Sequence, residues 1–336
     1  MFQHIRRDLN IGKIMFLCVI LSLTFSTIAY SSDRSSWPKQ VRLGGGSIGG
    51  TMYVGTARFG NMVQEFLKVN ATTEASAGPA DHIKLINRGE MELGGATAGP
   101  LHEGWNGLAW AKGEKYQNVR ALVPYYAAFT YVTVLASSPV KTLKDLDGRK
   151  LGVGPRGGTP QTQFPKIFEI LGVKPNYVLG SFGDIQSQLK DGLIEGVAYM
   201  AAHPYAAQMQ LEATHEARLI PPDAATADTF VKKYPYFSKG VLPAGSYKSV
   251  KKDMPTVVLW MYFITSKNMP DSFAYEVTKA AFEHVDYLKS GLPSWDKYMK
   301  AENMFSSPVP LHRGAVQYYR EKGVKLPASL IPPEGK

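Results

Sequence analysis

The chain has 336 residues, of which 44% are hydrophobic and 20% are charged. This balance is typical of a folded protein and excludes a disordered or collagen-like chain. At roughly 100–200 residues per domain, the length predicts about two domains. Cys18 is the single cysteine. One cysteine excludes a disulfide scaffold and a cysteine-based structural zinc site.

The N-terminal segment has the pattern of an export signal. Basic residues up to Lys13 precede an apolar run over residues 14–25, and small residues around Ala29 follow. These three parts predict a secretory signal peptide over residues 1–29, cleaved near Ala29. The run is shorter than the ~20 apolar residues of a spanning helix, which disfavours the alternative of an uncleaved anchor. The pair Arg6-Arg7 leaves twin-arginine export open beside the general secretory route.

The distribution of basic residues along the sequence does not indicate a nucleic-acid-binding surface. The formal net charge is +10, and removal of residues 1–29 lowers it to about +8, because that segment holds three basic residues and one acidic residue. The remaining lysines and arginines are spread along the chain. We interpret the charge as a source of solubility and a mild attraction for anions.

One strand–glycine-loop–helix pattern occurs twice. The first copy has a strand at 40–43, a glycine loop at 44–50 and an amphipathic helix from about Thr51. In the second copy, a strand at 150–153 leads to the loop 154–159, with Thr159 as the predicted N-cap and Pro160 at the first helical position.

Each copy continues in the same way. A helix ends at a glycine, Gly89 or Gly192, and a glutamate follows three residues later, Glu92 or Glu195. A short strand comes next, Leu93 to Thr97 in the first copy and Val197 to Met200 in the second.

Alternating strands and helices in two copies predict an α/β protein with parallel sheets and two Rossmann-like lobes. We place the first lobe at 30–136, the second lobe at 137–255, and a return to the first lobe at 256–336. Two β-rich runs, 131–136 and 257–264, are predicted to lie near or across the lobe boundary. Residues 275–289 predict one amphipathic helix, and the proline-rich tail from Pro327 is expected on the surface.

Both glycine loops precede a helix N-terminus, where free backbone N–H groups and the helix dipole favour an anion. Two more specific sequence motifs also match the first loop. Gly44-x-Gly46-x-x-Gly49 matches the dinucleotide fingerprint, although no acidic residue follows at a second strand end. Gly45-x-Ser47-x-Gly49 matches the nucleophile elbow of hydrolases. A Walker phosphate loop is excluded, since no Gly-Lys-Ser/Thr sequence occurs.

The candidate ligand-binding residues lie on the loops and turns that we expect to face a cleft between the lobes. They are Gly46, Ser47, Ile48, Gly49, Tyr53, Gly78, His82, Tyr125, Arg156, Gly157, Gly158, Thr159 and His203. Arg156 suits a bidentate grip on a carboxylate, or alternatively a solvated charge or an interlobe ion pair. His82 and His203 are equally compatible with a ligand contact and with a purely structural position. The histidines are not spaced as metal ligands, and we predict no metal, cofactor or catalytic residue.

Several segments resemble the TAXI-type solute-binding proteins of TRAP (tripartite ATP-independent periplasmic) transporters. The similar segments are 44–53, 85–90, 122–126, 142–150, 154–159, 233–236, 243–247 and 311–321. These segments extend over nearly the whole mature chain, and their order and spacing make the match specific. The resemblance implies a hinged, two-lobed fold of the type II periplasmic binding protein kind, without catalysis. It further implies capture of a small carboxylate in the periplasm and delivery to an ion-gradient-driven membrane permease.

The sequence departs from the family pattern where hydroxyl or acidic groups are usual. Ile48 and Met52 stand where the family often has Thr and Tyr, and Gly99 replaces an aspartate. These losses favour a keto acid, a dicarboxylate or an aromatic carboxylate over an amino acid as the ligand. Two alternatives remain open: a secreted serine hydrolase using Ser47, and a binding protein that serves a sensor or an ABC permease.

Overall fold

The computed structural model describes residues 34–335, which fold around one mixed β-sheet. The predicted signal peptide, 1–29, lies outside the described residues. The strands are β1 (Gln40–Gly46), β2 (Asn70–Ala75), β3 (Leu93–Thr97), β4 (Val119–Leu135), β5 (Lys150–Gly152), β6 (Asn176–Val178), β7 (Gly196–Ala201), β8 (Ala217–Ile220), β9 (Phe237–Leu242) and β10 (Met254–Ser266). The helices are α1 (Thr51–Met62), α2 (Pro79–Arg88), α3 (Ala98–Asn106), α4 (Thr159–Leu171), α5 (Phe182–Lys190), α6 (Ala206–Thr214), α7 (Ala224–Lys233), α8 (Asp271–Glu283), α9 (Val285–Lys289), α10 (Trp295–Tyr298) and α11 (Arg313–Glu321).

The strand order shows the repeat directly. The sheet runs β2-β1-β3-β10-β4-β7-β5-β6, with β8 paired to β4 and β9 to β10. In the first repeat, β1 lies parallel to β2 and β3, and β3 pairs antiparallel with β10. In the second repeat, β5 lies parallel to β6 and β7, and β7 pairs antiparallel with β4. The predicted α/β class with two similar lobes is confirmed. The sheet is mixed rather than parallel because β4 and β10 run against their neighbours.

The two long strands connect the lobes. β4 has 17 residues and is buried except at its last position, and β10 pairs with it over most of its own length. Strands buried on both faces read as continuous apolar runs. The predicted run 257–264 lies within β10, whereas the predicted run 131–136 covers only the last five residues of β4. In the predicted division, the first lobe consists of β1–β3 with α1–α3, together with the C-terminal helices. The second lobe consists of β5–β9 with α4–α7, and its boundaries at 137 and 255 remain predictions.

Each repeat uses its glycine and glutamate in the same way. Gly89 ends α2 at φ 75°, and Gly192 follows α5 at φ 71°, a conformation that glycine adopts without steric cost. The carboxylate of Glu92 then pairs with Arg42 on β1 at 2.9 Å. That of Glu195 pairs with Arg149, beside β5, at 3.2 Å. The glutamate thus ties the third strand of each repeat to the first.

Three predicted element boundaries were wrong. β1 extends to Gly46, so that only Ser47–Gly50 forms the loop. The N-cap of α4 is Gly158 rather than Thr159, because the Thr159 hydroxyl is engaged by Thr97 at 2.8 Å. The predicted helix 275–289 breaks between α8 and α9 at His284, whose ring stacks on Phe66 with centroids 3.6 Å apart.

Candidate functional site

A small cavity lies between the loops of the two repeats, with about 50 Å³ of space open to water. Both lobes contribute to its wall. The lining residues are Gly46, Ser47, Gly50, Thr51, Met52, Ala77, Gly78, Pro79, Tyr126, Pro155, Gly158, Thr159, Pro160, Phe182, Tyr199, Met200, Ala201 and Tyr205. The cavity therefore occupies the predicted cleft between the lobes.

Four helices begin at this wall. Helices α1, α2 and α4 each start after a glycine, at Gly50, Gly78 and Gly158, and none of these glycines supplies a side-chain cap. Helix α5 starts at Phe182 and is capped by Ser181. Uncapped helix N-termini present free N–H groups, and their dipoles create a positive potential. At α2 and α5 the first backbone N–H groups already donate to Gly157, Ser47 and Ser181. The N-termini of α1 and α4 are therefore the ones that favour an anion in the cavity without a charged side chain.

Direct contacts hold the two lobes together around the cavity. The Ala80 N–H in the first lobe donates to the Gly157 carbonyl in the second at 3.3 Å. The Phe182 N–H donates to the Ser47 hydroxyl at 3.4 Å. The backbones approach so closely that a Cβ on Gly78 would lie 3.3 Å from the Gly158 Cα. The structure is therefore the closed arrangement of the lobes.

A buried ion pair crosses the seam beside the cavity. Glu103 on α3 is 2% exposed and pairs with Lys166 on α4. Its Oε1 also accepts a hydrogen bond from the Gln163 amide at 2.9 Å, and Lys166 Nζ donates to the Tyr236 hydroxyl at 2.9 Å. Burial lowers the pKa of Lys166 to about 8. Because the buried Glu103 carboxylate has its counter-charge, the largely covered Lys166, in the other lobe, the pair links closure of the lobes to electrostatics.

The structure brings part of the predicted set to the cavity wall. The predicted residues that line it are Gly46, Ser47, Gly78, Gly158 and Thr159. Gly49 and Gly157 lie at the seam, where their carbonyls accept hydrogen bonds from Tyr205 and Ala80. The remaining predicted residues, Ile48, Tyr53, His82, Tyr125, Arg156 and His203, lie off the lining.

His82 is a structural residue that shapes the first loop. It is fully buried, with Nδ1 2.7 Å from the Gly95 carbonyl and Nε2 2.5 Å from the Ser76 hydroxyl. The Ser76 hydroxyl accepts a hydrogen bond from the Gly46 N–H at 2.9 Å. Burial lowers the pKa of His82. The neutral ring, with its proton on Nδ1, satisfies every one of these bonds, so His82 positions the loop through Ser76 rather than through the cavity.

Tyr125 and His203 also lie behind the wall. Tyr125 is fully buried, donates to the Met52 carbonyl at 2.9 Å, and stacks on Trp295 at 4.8 Å. The half-buried ring of His203 packs edge-on against Phe129 and Tyr247. Both side chains support the strands that carry the lining residues.

Ile48, Arg156 and Tyr53 belong to the outer side of the loops. Ile48 is 63% exposed, and Arg156 is exposed as well. Tyr53 packs under the first loop, where a Cβ on Gly45 would lie 2.9 Å from its ring. The carboxylate grip predicted for Arg156 would need this side chain to turn inward.

An aromatic wall formed by Tyr126, Phe182, Tyr199 and Tyr205 lines the cavity. The sequence interpretation selected Tyr125 instead of Tyr126 and did not include the other three. Adjacent residues of a strand point to opposite faces, so Tyr125 and Tyr126 do not line the cavity together. The sequence left each of them compatible with the core or with the cleft wall, and Tyr126 is the one on the wall. Tyr199 lies on β7, and the predicted ligand residue His203 follows the end of the same strand.

A larger groove of about 470 Å³ lies elsewhere, where the turn before α7 meets the start of β10. Its helix N-terminus is already satisfied, since the Asp223 carboxylate accepts a hydrogen bond from the Thr226 N–H at 2.7 Å. It lacks the loops of both repeats. The cavity between the lobes is therefore the stronger candidate site.

Among residues 34–335, no helix is both long and apolar enough to cross a bilayer. No group of three or more histidine, cysteine or acidic side chains there is arranged to hold a metal ion.

Comparison with known proteins places this fold. The model of the NMT1-like family matches residues 43–323. Three solved structures share the fold. MatC from Rhodopseudomonas palustris with bound malate is 12% identical, with a TM-score of 0.56 over 85% of this chain and 98% of that chain. The periplasmic binding protein BugD is 11% identical, with a TM-score of 0.55 over 87% and 100%. A periplasmic transporter protein is 14% identical, with a TM-score of 0.51 over 84% and 92%.

Proposed function

Because the chain belongs to the NMT1-like family and has the fold of periplasmic solute-binding proteins, we propose that it captures a small carboxylate for a membrane transporter. The carrying observation is the closed cavity between two repeats, at which four helices begin. A site made by two lobes is complete only when they close, and closure buries a small anion among backbone donors.

The ligand class and the transporter follow from the resemblance to TAXI-type proteins. The protein is exported to the periplasm, binds a keto acid, a dicarboxylate or an aromatic carboxylate, and passes it to TRAP permease subunits. The malate bound to MatC gives one solved example of a carboxylate held by this fold. No nucleic acid is involved. Delivery to an ABC permease or a sensor is the second candidate, since the shared fold does not select the partner.

The contacts of Ser47 do not favour hydrolysis. Its hydroxyl donates to the Ile48 carbonyl at 3.3 Å and accepts from the Phe182 N–H at 3.4 Å. Both partners are backbone groups, whereas a nucleophilic serine needs a base at hydrogen-bond distance. Ser47 is therefore a contact of the closed form.

Calorimetry with a panel of small carboxylates tests the proposal. We expect saturable binding of at least one panel member by the wild type and by Ser47→Ala. Turnover of an ester substrate that Ser47→Ala abolishes would contradict it and support a hydrolase. Vesicles containing the cognate permease then distinguish the partners: uptake driven by an ion gradient without ATP supports TRAP delivery, and a requirement for ATP contradicts it.

A further inference from the structure

Two hydroxyl groups at the cavity have no hydrogen-bond partner among the described residues. They are Thr51 Oγ1 at the start of α1 and the Tyr199 hydroxyl on β7. Both residues line the cavity, and they are 9% and 1% exposed. A buried hydroxyl without a partner costs roughly 1–3 kcal/mol, so such groups are usually satisfied by something that binds. Thr51 belongs to the first lobe and Tyr199 to the second, so one ligand can reach both.

Both hydroxyls act as donors towards an anion. Burial raises the pKa of Tyr199, so it keeps its proton at neutral pH. The N-termini of α1 and α4 open beside them without side-chain caps. Every one of these groups supplies a hydrogen or a positive potential.

No charged side chain lines the cavity within the described part of the chain, since its wall contains no Asp, Glu, Lys, Arg or His. An ammonium group placed there would lose its hydration and find no carboxylate to replace it. It would also face the positive N-terminal ends of α1 and α4. The cavity thus attracts an acid group and rejects a cation in the same ligand.

We propose that the site selects small acids without an ammonium group, whose acid oxygens accept hydrogen bonds from Thr51 and Tyr199 across the seam. This inference rests on the proposed solute-binding function and assigns its specificity. The ligand is compact, because the cavity is small, and its body contacts Phe182 and Tyr126. Recognition uses neutral donors alone, so a sulfonate of matching size is bound as well.

Calorimetry with matched pairs of acids tests this inference. The probes are pyruvate with alanine, 2-oxoglutarate with glutamate, and phenylpyruvate with phenylalanine, with methanesulfonate added. We expect at least one oxo acid to bind 100-fold or more tightly than its amino acid partner. Tyr199→Phe and Thr51→Val, which remove one hydroxyl each, should weaken that acid about 10-fold or more. Tyr177→Phe is the matched control, because this tyrosine is 41% exposed and lies off the cavity, and it should bind as the wild type does.

The outcomes separate the inference from the function beneath it. An amino acid that binds as tightly as its oxo acid overturns the inference and leaves solute binding intact. Affinities within two-fold of wild type for both Tyr199→Phe and Thr51→Val also overturn it. If no probe binds while the variants and wild type remain folded by circular dichroism, the proposed capture of small carboxylates fails, and the inference fails with it.

Discussion

The hydroxyl of Tyr205 in the second lobe donates a hydrogen bond to the carbonyl of Gly49 in the first, at 2.9 Å. The tyrosine precedes α6, and the glycine lies in the loop before α1. The bond therefore joins the mouth of the cavity across the seam and exists only while the lobes are closed. Deleting the Tyr205 hydroxyl oxygen therefore tests how much this bond contributes to closure of the lobes.

Removing that atom should open the protein. Tyr205→Phe keeps the ring and deletes the hydrogen bond, which contributes roughly 0.5–1.5 kcal/mol. We expect a larger radius of gyration by small-angle X-ray scattering without ligand, and an affinity for the bound acid lowered roughly 2- to 10-fold. Tyr177→Phe serves again as the control. An unchanged scattering profile together with unchanged affinity would show that the bond does not hold the lobes.

The ion pair between Glu103 and Lys166 should control closure more strongly. Lys166→Met would leave the Glu103 carboxylate buried without its partner, a situation that costs roughly 3–5 kcal/mol. Opening of the lobes rehydrates the carboxylate, so we expect an expanded scattering profile and a loss of affinity rather than unfolding. The double variant Glu103→Gln/Lys166→Met removes both charges and should close again. Equal expansion of the single and double variants would argue against an electrostatic cause.

Helix α1 should tolerate no side chain at Gly55. A Cβ there would lie 1.9 Å from the Tyr125 hydroxyl oxygen, which is fixed by its bond to Met52. Overpacking of this kind typically costs 1–3 kcal/mol. We expect Gly55→Ala to lower the free energy of unfolding in urea by about that amount or more. Gly180→Ala is the control, since its nearest neighbour would be 3.5 Å away, and an equal loss there would refute the steric explanation.

The fold was largely predictable because its signals are local. Glycine ends a helix at Gly89, and continuous apolar runs mark the end of β4 and most of β10. The site was less predictable because its composition depends on contacts between residues distant in sequence. His82 looked like a ligand residue, but the room for its ring comes from Gly44 and Gly94 on neighbouring strands.

The lining residues that the sequence did not predict escaped for the same reason. A hydroxyl becomes a candidate ligand contact when the surrounding fold leaves it buried and without a partner, as at Thr51 and Tyr199. That property belongs to the packed structure rather than to the residue type. Sequence pattern therefore located the two loops, while the side chains that complete the wall required the tertiary structure.

Acid should destabilise the protein through His312. This residue is 1% exposed, and its Nδ1 accepts a hydrogen bond from the Gly314 N–H at 3.2 Å at the start of α11. Burial lowers its pKa to about 4, against the attraction of Asp271. The unfolded chain takes up a proton near pH 6.5 and the folded chain does not. The stabilisation is thus complete above pH 6.5 and is lost as the pH falls from 6.5 to about 4, by an amount on the order of 3 kcal/mol.

His312→Asn keeps a capping side chain without a titrating ring. Urea unfolding at pH 7.5 and 4.5 should show a smaller loss of stability for His312→Asn than for the wild type. Equal losses would mean that His312 does not contribute to the acid sensitivity, whereas the carboxylates, which titrate in both proteins, cancel in the difference.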